Sequence, residues 1–272
     1  MKLIYITSLG FSGSTLVDLV TSAHSRTFSV GEVINVREYA HVLKEKNKVS
    51  AYGNECTCGT PTIWECPFWK NVEKDLKESS DLSLKDLDFR DYESPDYARH
   101  NAAMLESVAK VAGVDVIVDS SKAPRRLEAL LDNDLFEVIP VHLVRHPRGM
   151  VYSQIKRGRS ALKISAHFTR RTLQIRRLLG DKPHTLVRYE RFVEDPKSHI
   201  EPVMRAAGLD WEDSQLEWAA RERHNLGGNP MRRSTDSTIR LDTTWKDELR
   251  TRDRLLIDAI TLPAMSKLRK SD

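Results

Sequence analysis

What most constrains the fold of this chain is a set of short, continuously apolar runs, each ending in a small polar turn and passing into a helical segment. The first runs from Lys2 to Thr7 and ends at Ser8-Leu9-Gly10. Ser14 to Ala23 then groups Leu16, Val17, Leu19 and Val20 at helical spacing. Val114 to Val118 runs into Asp119-Ser120-Ser121-Lys122, Val138 to Val144 into Arg145-His146-Pro147-Arg148-Gly149, and His184 to Arg188 reads as a fourth strand. Strands this apolar are buried on both faces, which predicts an α/β fold with a mostly parallel central sheet and helices on both sides. Ligands of such sheets sit beyond the carboxyl ends of the strands, so the turns are where chemistry is sought.

The 272 residues, 40% hydrophobic and 30% charged, suit one domain over 1–272. A capping or substrate insert is expected at about 27–96. It holds a helix from Asn35 to Lys46, a Cys/Gly/Pro loop from Tyr52 to Pro67, a helix from Phe68 to Lys77 and a polar connector from Glu78 to Pro95. Leu162 to Leu179 pairs an apolar stripe with a solvated face of arginines, and Asp247 to Ile260 reads as a closing helix. A net charge of only +4 argues against a nucleic-acid partner and leaves room for a small anion. No apolar run approaches the roughly 18 residues that span a bilayer. Three cysteines, an odd count, point to a reducing compartment, so a cytoplasmic location is expected.

Gly10-Phe11-Ser12-Gly13-Ser14-Thr15 lies between a strand and a helix. Its backbone N–H groups can converge on a phosphate at the positive end of the helix dipole, and Ser12, Ser14 and Thr15 add hydroxyls while Gly13 lets the backbone approach. It is not a nucleotide-triphosphatase loop, because no lysine precedes Ser14-Thr15. On these residues alone a serine-capped turn fits equally well. A second anion site is offered by Arg145, leaving a buried strand, and Ser153, which follows it within the next helix and can grip the same phosphate.

With both sites in view the chain resembles the sulfotransferases that use 3′-phosphoadenosine 5′-phosphosulfate, and bacterial members most closely. Ser-Gly-Ser-Thr-Leu at 12–16, Gly31-Glu32, Cys-x-Cys-Gly with Cys-Pro-Phe-Trp at 56–69, Val-Asp-Ser-Ser-Lys at 118–122, Arg-Tyr-Glu at 188–190 and His-Asn-Leu-Gly-Gly-Asn-Pro-Met-Arg at 224–232 look like that group's blocks in order. The resemblance implies a P-loop-like three-layer sandwich. It implies that Ser12, Gly13, Ser14 and Thr15 bind the 5′-phosphosulfate, that Arg145 and Ser153 bind the 3′-phosphate, and that Tyr189 meets the adenine. It also sets Glu32 at a position where some members place a glutamate base. Phe11 departs from the pattern, since many members carry Lys or Arg there.

Sulfuryl transfer asks mainly for positioning and charge stabilisation. Lys122, at a strand end, is the expected substitute for the missing cation, and Glu32 the expected base, against the plainer readings of a surface lysine and a helix N-terminal charge. The flexible basic loop from His224 to Arg233 is expected to fold over the 3′-phosphate, with Arg232 as the contact. Asp119 is read as a turn residue rather than an Mg2+ ligand. Cys56, Cys58 and Cys66 lack the usual C-x2-C spacing and a nearby histidine, so no metal is expected and the segment reads as a packing loop around Trp64, Phe68 and Trp69. The expected activity is transfer from 3′-phosphoadenosine 5′-phosphosulfate to a hydroxyl or amine of a small-molecule or carbohydrate acceptor. A nucleotide-dependent small-molecule kinase and an inactive nucleotide-binding protein are the alternatives.

Overall fold

The computed structural model describes residues 1–41 and 55–269. The chain begins with β1 (Lys2–Thr7), α1 (Ser14–Ser22), β2 (Thr27–Gly31), α2 (Val36–Ala40), α3 (Pro67–Ser80) and α4 (Tyr97–Ala112). It continues through β3 (Val116–Lys122), α5 (Pro124–Leu131), β4 (Glu137–Val144), α6 (Pro147–Ile155), α7 (Ala161–Leu179) and β5 (Thr185–Arg188). It closes with α8 (Tyr189–Glu194), α9 (Pro196–Ala206), α10 (Trp245–Glu248) and α11 (Thr251–Arg269). The strands form one sheet in the order β2-β3-β1-β4-β5, and every pairing is parallel.

The two-residue period of β1 divides the core. Leu3 and Tyr5 pack into one layer with Trp69 of α3, Leu105 of α4 and Leu127 of α5, while Ile4 and Ile6 pack into the other with Val17 of α1 and Val203 of α9. A third cluster joins Leu9 and Val144, just past the ends of β1 and at the end of β4, to Met150 of α6, Phe168 of α7 and Ile257 of α11. The α/β sandwich expected from the apolar runs is therefore the observed one.

Some boundaries differ. Thr27–Gly31 is a fifth strand, pairing with β3 at the sheet edge, so the segment expected to be an insert begins with a piece of the sheet. Thr-Phe-Ser-Val-Gly has too few apolar residues to stand out as a buried run, and at an edge it needs fewer. β3 continues through the polar Asp-Ser-Ser-Lys to Lys122. Of the helix expected over 35–46, Val36–Ala40 is helical and the positions beyond 41 lie outside the described residues. The closing helix starts at Thr251, after the short α10, and runs to Arg269.

Candidate active site

Because β1 and β4 are parallel neighbours, the turns that leave them lie side by side, and their side chains open into one cavity of about 370 Å3. Gly13, Ser14 and Thr15 line it from the first turn, Arg145 and Ser153 from the second, and Tyr189, Glu32 and Lys122 complete it. Gly13 caps α1 with φ 86°, a left-handed conformation that glycine adopts without strain. Ser14 and Thr15 are the first two residues of the helix and carry N–H groups that its own carbonyls do not use.

Arg145 joins the two turns directly. Its Nη1 donates to the Phe11 carbonyl at 3.2 Å, and its guanidinium lies 5.0 Å from the Tyr189 ring centroid. Arg145 is buried, yet its Nε has no partner among the described residues. A buried charged donor with an unused N–H is what an anionic ligand satisfies, so the residues fit a phosphate-bearing molecule. Burial also pushes the Tyr189 phenol above its ordinary value, leaving it neutral against a ligand. Ser153 Oγ donates to Gly149 O at 2.9 Å within its own helix.

Glu32 and Lys122 arrive from β2 and β3 and meet as an ion pair, Nζ to Oε1 2.5 Å, with side chains only 24% and 19% exposed. Lys122 Nζ also donates to Ser120 O at 3.2 Å. Lys122 holds a left-handed φ of 68°, an unfavourable conformation for a lysine and one often found at functional sites. The backbone N–H of Glu32 donates to Leu226 O at 2.6 Å, so the loop after 224 fixes its position.

Two expected contacts are not in the cavity lining. Ser12 is buried within the turn. Arg232 is also buried and donates to the Glu55 carbonyl at 3.2 Å; Gly228, Asn229 and Met231 line the cavity from its loop instead. The loop thus lines the cavity with Gly228, Asn229 and Met231, while Arg232 keeps its Nε and Nη1 buried and without a partner among the described residues.

Arg157 was missed. It lines the cavity, and its guanidinium sits 4.6 Å from the centroid of the Phe11 ring. The aromatic at the position expected to be basic therefore seats a cation from the end of α6. The signal was present: Arg157 lies one helical turn beyond Ser153, on the same face.

Asp119 accepts from Ser121 N at 2.8 Å, a turn contact, and pairs with Arg126 Nε at 2.9 Å with both side chains fully buried. It is committed to the core rather than to a ligand. Asp18, in α1 one turn beyond Ser14, is buried and accepts from Ser120 Oγ at 2.9 Å; burial raises its carboxyl to about 7. Cys56, Cys58 and Cys66, for which the sequence showed no nearby histidine, converge on His224 from the far part of the chain.

Residues 4–213 match the profile of the sulfotransferase family. Among solved structures, the chain is similar to the sulfotransferase domain from the Synechococcus PCC 7002 olefin synthase, with 16% identity and TM-score 0.55 over 95% of this chain and 94% of that one. It is also similar to the sulfotransferase domain from the curacin biosynthetic pathway, with 15% identity and TM-score 0.50 over 95% and 96% of the two chains. At such identities the likeness is one of fold. No curated protein matches by sequence.

Proposed function

The chain belongs to the sulfotransferase family, and on that premise we propose that it moves a sulfuryl group from 3′-phosphoadenosine 5′-phosphosulfate to a hydroxyl or amine of a small-molecule or carbohydrate acceptor, releasing adenosine 3′,5′-bisphosphate. The observation that carries this reading is that the loop of Gly13, Ser14 and Thr15 and the pair Arg145 and Ser153 line one cavity. A donor with phosphate at both ends of a nucleoside needs two such cradles at once.

In this reading the loop N–H groups and hydroxyls hold the 5′-phosphosulfate, Arg145 and Ser153 hold the 3′-phosphate, and Tyr189 packs against the base. Glu32 takes the acceptor's proton as the acceptor atom bonds to sulfur. The bond from sulfur to the 5′-phosphate oxygen breaks, and its electron pair leaves with the phosphate. Lys122 and the N-terminus of α1 stabilise the charge that develops there, with Arg157 as a further cation in the cavity. The ion pair between Glu32 and Lys122 holds base and cation in position before either substrate arrives. No described helix is long and apolar enough to cross a membrane. A reducing compartment such as the cytoplasm suits three cysteines that stay out of disulfides.

Calorimetry with adenosine 3′,5′-bisphosphate and transfer of a labelled sulfuryl group over an acceptor panel test the proposal. Wild-type protein is expected to bind the bisphosphate and to sulfate at least one acceptor. Arg145→Ala should weaken binding roughly 10- to 100-fold, as expected for a charged hydrogen bond. Binding without transfer would support an inactive nucleotide-binding protein, and no binding by the wild type would overturn the reading.

A further inference from the structure

Cys56 and Cys58 lie in the loop before α3 and Cys66 caps that helix, while His224 comes from the loop that borders the active site. Their four ligand atoms lie within 4.8 Å of one another. His224 Nδ1 is 3.8 Å from Cys56 Sγ and 3.2 Å from Cys66 Sγ, and Cys58 and Cys66 Sγ are 3.6 Å apart. A tetrahedral zinc, with bonds of about 2.3 Å to sulfur and about 2.0 Å to nitrogen, requires sulfur–sulfur edges of about 3.8 Å and sulfur–nitrogen edges of about 3.5 Å. The sulfurs are too far apart for a disulfide, whose bond is about 2.05 Å.

The surroundings are those of a ligand set held ready. The other ring nitrogen of His224, Nε2, lies 3.1 Å from Glu222 Oε1, the carboxylate contact that directs Nδ1 toward a metal. The imidazole stacks on Phe68, centroids 4.9 Å apart and planes 5° apart, and Phe68 stacks on Phe28 at 4.5 Å. Trp69 Nε1 donates to His224 O at 2.8 Å. Cys56 and Cys66 are buried and Cys58 is exposed, so an ion can reach the cluster from the Cys58 side.

We propose that Cys56, Cys58, Cys66 and His224 form a structural zinc site that clamps the 224–229 loop to the segment before α3. Three thiolates and one imidazole are a Cys3His set, soft donors that select zinc over magnesium or calcium. This replaces the metal-free packing loop expected from the sequence. The clamp has a specific consequence. Two residues past His224, the Leu226 N–H donates to Val30 O at 3.1 Å and its carbonyl accepts from Glu32 N at 2.6 Å. Gly227 N donates to the Tyr39 hydroxyl at 3.0 Å and Asn229 N to Thr15 Oγ1 at 3.4 Å. Zinc at the root of this loop therefore positions the backbone that holds Glu32 and borders the cavity. The site stands independently of the proposed reaction.

Full-length protein, reduced, incubated with excess zinc and desalted, tests the proposal by elemental analysis. The expected result is one zinc per chain. Cobalt loaded in its place is expected to give the sulfur charge-transfer and ligand-field absorption of a tetrahedral thiolate site. Cys58→Ser, which changes an exposed thiol and spares the buried ones, should hold zinc at least about tenfold more weakly with an unchanged far-ultraviolet circular dichroism spectrum. Chelation should lower the melting temperature of the wild type, and zinc should restore it. Less than about half a zinc per chain, absence of the cobalt bands, or equal affinity in Cys58→Ser would overturn the site as assigned.

Discussion

The ring of Tyr189 closes so tightly on Gly13 that a Cβ at position 13 would stand 2.1 Å from the tyrosine Cε2. The start of α8 thus sets the shape of the turn after β1, although 176 positions separate Tyr189 from Gly13 in sequence. Gly13→Ala has to strain a left-handed backbone and displace the ring together. We expect a loss of about 2 kcal/mol or more in urea unfolding and a marked rise in the bisphosphate Kd. Gly10→Ala, where a Cβ meets nothing within 4 Å, is the control for stability and should leave urea unfolding near wild type.

Glu32→Gln keeps the size of the side chain and a hydrogen bond to Lys122 but removes its capacity to take a proton. Its kcat should fall about 10^2- to 10^4-fold while the bisphosphate Kd measured by calorimetry stays near wild type. An unchanged kcat would assign the base elsewhere.

Arg126→Ala leaves Asp119 as a fully buried carboxylate with no guanidinium beside it, and also deprives the Tyr97 hydroxyl of its 2.9 Å donor. Urea unfolding should show a loss of about 3–5 kcal/mol. Replacing both partners with apolar residues of similar volume should cost much less, because no buried charge is then stranded.

Asp18 gives the fold a pH dependence of predictable sign. Its carboxyl rises from 3.8 to about 7 on burial, so between those values the native state binds the proton that the unfolded chain has released. Its contribution is greatest below pH 3.8 and is lost as pH climbs to about 7, on the order of 4 kcal/mol in all. Asp18→Asn removes the titration. The melting temperature of Asp18→Asn relative to wild type should therefore be higher at pH 8 than at pH 5, and a constant difference would refute the assignment.

The apolar runs of β1, β3 and β4 were legible because these strands lie inside the sheet, where burial on both faces needs a continuous apolar sequence. The Gly/Ser turn between β1 and α1 was legible too, since a turn with a glycine at its left-handed position is a property of a few consecutive residues. β2 was not, because Thr27–Gly31 becomes a strand only by pairing with β3 at the sheet edge. The burial of Arg232 was not legible for a related reason: a basic residue in a Gly-rich loop looks exposed until the Glu55 carbonyl, 177 positions away, captures it.

By itself, the chain's sequence determined local conformation, the class of the sheet and the two polar turns that follow β1 and β4, because strand burial, glycine geometry and helix N-termini act over neighbouring residues. Which residues stand together was decided only in the tertiary structure. Glu32 meets Lys122 across 90 positions, Arg157 meets the ring of Phe11, and His224 meets Cys66 across 158. Such contacts depend on strand order and on where loops cross, and those follow from the packing of the whole core rather than from any pattern that a short stretch of residues can carry.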